Sequence, residues 1–496
     1  MKTYRPWTPT QSSLMPLSPT DWLPEDHLAY FVLDLIEELD LSEIERAIQA
    51  KDARGERPYS PRMMTTLLLY GYAVGVFSSR KIERATHEDV AFRVLAGGEH
   101  PHFTTINEFR GRHRQALAGL FQQLLEECMS AGLVTLGHVA IDGTKMKANA
   151  SKHKAMSFER MNKDEARLSS EIEAMLKHAE EVDAAEDKLY GVGQQPSDLP
   201  AELRRREGRR EKIRATRAAL KAETEKKRAA ELAALADGLR EQAAAPATSP
   251  QKQATFLTVA AQHDQESADL DDDDPPPPAV DSDLPTNTPP KYRNGTPKPK
   301  AQRNFTDPDS RIMVHDGAYM QAYNGQIAVD EANQIIVAAA LSNQGPDVQY
   351  FEPMLRRVVE NCGAVPARGT GDAGYFSDAN VRAAEALGCE PFIAVGAHRR
   401  DGFPDEEARL PNLQTDTART MRALLNTDEG RAVYARRKAT VEPVFGQIKA
   451  VRGYRQVSFR GLLKNRCEWL LVCATHNLLK LWRAVAARAP RPALAA

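Results

Sequence analysis

The stretch that decides the fold is VAIDGTK, residues 139–145. Three apolar residues run into Asp142, Gly143 follows at once, and Lys145 comes two positions later. A short apolar run closed by turn-forming residues reads as a buried strand, expected here over 138–142. Its carboxylate then stands where the chain leaves the core. Taken alone, Asp142 reads more readily as the polar end of an ordinary strand than as a catalytic acid, because aspartate commonly closes turns through its own backbone.

Upstream of this strand, residues 25–135 read as all-helical. Leu28, Phe31, Val32, Leu35, Ile36 and Leu39 recur at helical spacing and form one apolar face. Ser60 before Pro61 predicts a capped helix start. A further helix follows Ser78-Ser79 and stops at Gly97-Gly98, and Thr105-Ile-Asn-Glu108 has the spacing of a capping box that opens a fourth. That helix carries Arg110, Arg112 and Arg114 early, so a DNA-binding helix-turn-helix competes with plain helix packing.

Downstream, residues 151–242 are highly charged and helical, with a narrow apolar seam through Leu168, Ile172 and Met175 and a break at Gly191–Pro196. An antiparallel helical hairpin is expected. Residues 243–302, which include DDDDPPPP, have the composition of a disordered acidic and proline-rich linker. From Ser310, three strand-like runs (310–314, 326–330 and 334–341) flank Asn324-Gly325, read as a turn. A helix over 347–359, the glycine-rich 368–375, a helix over 377–387, a strand over 391–395 and basic helices complete the order. Strands alternating with helices predict a mixed α/β unit. The ends, 1–24 and 484–496, are expected to be flexible.

The chain has 496 residues, more than one core usually fills. Its 66 basic and 68 acidic side chains nearly cancel, but they are unevenly placed. From Arg431 onward there are fourteen Lys or Arg against two acids, which suggests a polyanionic partner, with a solvated surface as the alternative. The five cysteines form no C-x-x-C pair, which fits a reducing cytoplasm and argues against a zinc knuckle. The N-terminus has no apolar signal-like run, and no apolar run approaches the ~20 residues of a membrane helix.

Three carboxylates in different elements suit phosphodiester chemistry with divalent metals. These are Asp142, Asp372 within Gly369–Gly374, and Glu442 within VEPVFGQIK, residues 441–449. Magnesium keeps oxygen ligands, and a two-ion site draws its carboxylates from elements that converge. Glu442 and Lys449, seven apart, share a helical face. Each also has a plainer reading, as a strand end, a turn support or a surface ion pair. Asp316, Asp330 and Asp347 flank the same strands and compete for the site. Asp142 and Asp372 are 230 positions apart, and setting aside the segment from about 151 to 303 reduces that gap to about 77.

On these residues the chain resembles the bacterial insertion-sequence transposases of the DDE type, in the broad IS four/five-like group. His138–Ser151 resembles the first catalytic block, Gly371–Ser377 the second and Val441–Lys449 the third. Asn324-Gly-Gln326, Glu468-Trp469 and His476-Asn477 fit as well, and residues 59–113 look like that family's helical N-terminal domain. One departure concerns the basic slot four residues before Glu442: it holds Lys438, with Arg437 one earlier and Tyr434 one step off.

The resemblance implies an RNase H-like catalytic domain, a mixed five-stranded sheet flanked by helices, built from 136–150 and 303–483. An all-α DNA-binding domain at 25–135 precedes it. A helical hairpin (151–242) and a disordered linker (243–302) are then an insertion. Asp142, Asp372 and Glu442 would be catalytic and metal-binding, with two Mg²⁺ ions for which Mn²⁺ substitutes. Lys145, Lys147, Arg110, Arg112, Arg114, Arg437, Lys438 and Lys449 would contact DNA. The implied partners are double-stranded DNA, as terminal inverted repeats and target, and a second copy in a homodimer or larger DNA complex. The implied setting is the bacterial cytoplasm at the nucleoid, with no membrane. A metal-dependent nuclease without strand transfer and an inactive DNA-binding descendant are the competing functions.

Overall fold

The computed structural model describes residues 19–50, 57–190, 201–245, 249–270, 284–315, 317–396 and 415–488. Of the ends expected to be flexible (1–24 and 484–496), residues 1–18 and 489–496 lie outside the described residues, as do the acidic run 271–283 and Asp316, whereas Pro19–Trp22 form a 3-10 turn and 484–488 are helical. Seven helices come first: α1 (Leu28–Glu38), α2 (Ser42–Gln49), α3 (Pro61–Val74), α4 (Ser79–Glu88), α5 (Val90–Leu95), α6 (Phe103–Arg112) and α7 (Arg114–Ser130). Ser60 caps α3 through the Met63 amide, as its sequence predicts. The capping box at Thr105 does not form: α6 begins two residues earlier, and the His102 ring accepts from the Thr104 amide at 3.4 Å. The expected fourth helix is two, broken at His113.

The next elements are β1 (His138–Lys147), β2 (Ala155–Ser157), α8 (Phe158–Tyr190), α9 (Ala201–Ala244), α10 (Pro250–Ala268) and β3 (Gln302–Asn304). Then come β4 (Arg311–His315), β5 (Ala318–Asp330), β6 (Ile336–Ser342), α11 (Phe351–Cys362), β7 (Arg368–Gly371), α12 (Asp378–Leu387) and β8 (Glu390–Ile393). Helices α13 (Asp416–Asn426), α14 (Asp428–Gly446) and α15 (Leu462–Arg488) complete the chain, with one π turn at Gln447–Val451 extending α14.

The main sheet is mixed and has six strands rather than five. It reads β4-β5-β1-β7-β8, and β6 also pairs with β5. At 13 residues, β5 is long enough to pair with β4 at its start and β6 at its end, while β1 takes its other edge. β5 runs antiparallel to β1, whereas β7 and β8 run parallel to it. Asn324-Gly325 is therefore strand interior and not a turn. Gly325 has no side chain because the indole of Trp469 lies on it: a Cβ there would stand 3.1 Å from the ring. Gly317, at φ 73°, makes the β4–β5 turn instead.

The N-terminal helices do not keep a core of their own. One apolar cluster runs from Leu28 to Leu481 and joins α3 and α7 to α15 and the sheet. The expected boundary at 135 and 136 thus marks a change of element type without a break in packing. The insertion also differs from expectation: α10 forms where disorder was read, with Ser249-Pro250 at its start, and packs on α9. Within 151–242 the expected antiparallel hairpin forms, α8 packing on α9 with Glu165 meeting Arg214 and Glu171 meeting Arg206, and α10 adds a third helix to it. Met161, Leu168 and Ile213 make a small second core, and Glu165 pairs with Arg214 at 3.1 Å and Arg217 at 2.8 Å. Glu223 of α9 pairs with both Arg303 and Arg311 and ties the insertion to the sheet. No helix among the described residues is long and apolar enough to cross a membrane.

Trp469 is fully buried and its Nε1 donates to the Gln326 carbonyl at 3.3 Å. Trp469→Ala should cost about 3–5 kcal/mol, the range for emptying a buried aromatic site. A lowered urea midpoint in far-UV circular dichroism, larger than that of Trp469→Phe, is the expected result.

Candidate active site

β1 does not end at Asp142; it runs five residues further, so the aspartate sits within the strand. What ends is its neighbour. β1 and β7 pair His138 with Arg368, Val139 with Gly369 and Ala140 with Thr370. Extending that register two residues brings Asp142 level with Asp372, the first residue after β7 closes at Gly371. Paired strands lie about 4.8 Å apart, so a constant register sets two carboxylates at adjacent positions on the carboxyl side of the parallel strands. The small residues around Asp372 serve packing and turn formation. A Cβ on Gly371 would stand 3.1 Å from the Phe351 ring, and the Gly374 amide donates to Asp372 Oδ1 at 2.8 Å.

Asp142 Oδ1 accepts from the Gly143 amide at 2.8 Å, and Oδ2 accepts from Arg437 at 3.0 Å. Burial pushes the Asp142 carboxyl up to about 6; Arg437 opposes this, and the negative charge of Asp372 adds to it. Arg437 is itself buried, with its guanidinium 5.7 Å from the Tyr434 ring centre. Helical periodicity explains the choice of Arg437 over Lys438. Tyr434, Arg437, Val441 and Val444 form the buried stripe of α14, while Lys438 faces solvent.

A third aspartate belongs to the same neighbourhood. Asp347 accepts from Asn324 at 2.6 Å, from Gln326 at 2.8 Å and from Lys145 Nζ at 3.3 Å. Tyr375, wholly buried, donates to the Gln326 side-chain oxygen. Gly143 makes room for this network: a Cβ there would collide with the Gln326 amide and stand 3.0 Å from Asp347. Sequence reasoning gave Asp347 little weight. The available signal was the pair Asn324 and Gln326, two amides on one face of a strand and directly across from Lys145 and Gly143.

Glu442 is exposed on α14 and makes no hydrogen bond or ion pair among the described residues. It lies between Arg437, which reaches Asp142, and Lys449, which donates to the Lys145 carbonyl at 3.1 Å. Among the described residues no three His, Cys, Asp or Glu stand close enough together to hold a metal ion. The register thus sets Asp142 level with Asp372, whose charge acts on it, and Glu442 is carried by the helix whose Arg437 reaches Asp142. The donors still fit a hard cation: all are carboxylate oxygens, and two of them raise each other's charge cost, which a cation relieves.

Several residues expected on DNA are committed elsewhere. Arg110 is buried, donating to Tyr72 and to the Phe77 carbonyl, both at 2.9 Å, and lies 3.8 Å from Glu468. Desolvating such a group for no internal partner would be costly, so it serves packing. Arg437 is held by Asp142, and Lys145 by Asp347 and the Gly345 carbonyl. Arg114 is half-buried and donates to the Gly111 carbonyl at 2.8 Å. Lys449 is half-buried, while Arg112, Lys147 and Lys438 are exposed. Asp330 is buried and accepts from the Thr135 and Leu136 amides, away from the pair.

Two segments match known families. A transposase domain (DUF772) matches residues 17–112, and a transposase DDE domain matches residues 406–482. The two matches support an insertion-sequence DDE transposase. The DDE transposase match covers α14 and most of α15, and so Arg437, Glu442, Lys449 and Trp469. Asp142 and Asp372 lie outside both matched segments. No curated protein and no solved structure matches the chain.

In metal-free protein the Asp142 carboxyl carbon should titrate near pH 6 by ¹³C NMR. Because the folded-state value is raised, this group stabilises the fold most below about pH 4 and loses that contribution as pH rises through about 6. Arg437→Met removes the largest opposing influence and should move the midpoint higher. A midpoint near 4 in either protein would contradict the burial described.

Proposed function

We propose that the protein is a DNA transposase that binds the terminal inverted repeats of its own element, cuts the ends and joins the freed 3′-hydroxyl to target DNA. The observation that carries this reading is the parallel register of β1 and β7, which extended by two residues sets Asp142 level with Asp372. The helical segment bearing Glu442, matched by the DDE family, crosses the same strand through Arg437 and Lys449. A mixed sheet with β1 at its centre, antiparallel to β5 on one side and parallel to β7 on the other, is consistent with an RNase H-like catalytic domain.

Asp142, Asp372 and Glu442 would hold two Mg²⁺, which supply a lowered pKa for the attacking water and charge relief at the phosphodiester. The chain's own groups prepare the site. Arg437 orients Asp142 and offsets its charge in the absence of DNA. Asp347, through Gln326 and Lys145, fixes the far side of β1. Exposed Lys147, Lys438 and Arg112 are free to meet phosphates, the sequence-independent part of DNA affinity. Paired element ends imply at least a dimer in the DNA complex, working at the bacterial nucleoid.

Incubation with Mg²⁺ and DNA carrying the repeats that flank the reading frame should give joined products. Cleavage without joining would instead indicate a nuclease, and a mobility shift without cleavage a binding protein. Asp142→Ala, Asp372→Ala and Glu442→Ala should each lower cleavage at least ~100-fold, about 2.7 kcal/mol of barrier. Full cleavage by any of the three would remove that residue from the site.

A further inference from the structure

Beyond the carboxylates, β1 runs from Asp142 to Lys147, about 17 Å at strand rise, and enters a cleft of about 630 Å³. Its lining includes Lys147, Lys152, His153, Lys154 and Arg460, and no acid. Elsewhere around β1 the cations are paired, as Lys145 is with Asp347 and Arg437 with Asp142. Here Lys147, Lys152 and Lys154 are exposed and make no ion pair among the described residues. Like charges gathered without a counter-charge repel one another, so the arrangement favours an anionic occupant.

The cleft is firmly built. The segment after α14 runs beside the end of β1: the Val457 amide donates to the Lys147 carbonyl at 3.0 Å, and the Lys147 amide to Arg455 at 3.2 Å. Asn149 donates to the Ser458 carbonyl at 2.9 Å, and the Ala148 amide to Gln321 at 2.9 Å. On the rim Tyr319 is 65 % exposed and paired across the β4–β5 hairpin with Val314. An exposed ring beside a basic groove is the combination that binds single-stranded nucleic acid, phosphates on the cations and a base on the ring.

We propose that this cleft takes one DNA strand that leaves the carboxylate pair along β1, with Lys152, Lys154 and Arg460 on its phosphates and Tyr319 stacked on an unpaired base. The assignment rests on the reading of the protein as a transposase. At one phosphate per 3.4 Å of each strand, the cleft lies about five nucleotides from the site of cutting.

The test uses the full chain, a blunt duplex from the DNA flanking its reading frame, and the same duplex with a single-stranded tail. Binding is followed by fluorescence anisotropy across a salt series. Lys152→Ala/Lys154→Ala should lower the slope of log K against log salt for the tailed duplex by about 1.4, near 0.7 per lost single-strand contact. Lys152→Arg/Lys154→Arg should keep the slope. Tyr319→Ala should weaken the tailed duplex roughly ten-fold and leave the blunt one unchanged. These side chains are exposed, so circular dichroism should match wild type. An unchanged slope in protein that binds DNA overturns the cleft alone. So does an equal loss from Arg209→Ala/Lys212→Ala on the outer face of α9, because it would make the effect diffuse. Wild-type protein that binds neither duplex overturns the transposase reading itself.

Discussion

The pairing of β1 with β7 has one offset over its whole length, and the site inherits its geometry from that offset. Parallel strands bond at even spacing, so a register fixed by Val139, Ala140 and Thr370 in the core propagates unchanged to the strand ends. A slip of one residue would turn every side chain of β7 to the opposite face and bury charge in the core. The buried pairs therefore hold the register, and the register carries Asp372 to the level of Asp142.

Helix α14 is held to this frame from two sides. Arg437 ties its middle to Asp142, and beyond its end, in the π turn at Gln447–Val451, Lys449 reaches the carbonyl of Lys145. Behind it, Trp469 presses on Gly325, and Glu468 accepts from Tyr72 and Tyr454, both at 2.9 Å. The N-terminal helices are thus joined to this frame by a buried carboxylate as well as by the shared apolar core. His476, buried and held far from its charged form at about 3, and Asn477, bonded to both backbone groups of Ile336, close the edge of β6.

Much of this was legible in the sequence. The strand before Asp142 and the order of strands and helices follow from periodicity and turn chemistry, while grouping Asp142 with Asp372 rests on the spacing left once the insertion is set aside and on the family resemblance. What escaped was set by long-range packing. Nothing local distinguishes Asn324-Gly325 as strand interior, since its glycine answers to an indole more than a hundred residues away. Arg110 sits in a basic run that reads as a surface, yet Tyr72 and Glu468 draw it inside. The helix α10 was lost in a composition averaged with its proline-rich neighbour. Glu442 is exposed because helical phase puts it one step off the buried stripe, and composition carries no such phase.

The β2–β3 ribbon pairs Ala155 with Asn304, and the Phe158 amide donates to the Ala301 carbonyl at 2.8 Å. The chain therefore leaves the sheet and returns to it at neighbouring points, with three helices in between. This ribbon works as a clasp. Loop-closure entropy grows only slowly with the length of the excursion, and the clasp meets that cost locally. To the sheet, an insertion of this size is equivalent to a tight loop. Evolution could lengthen, trim or exchange those helices while the two aspartates keep their level.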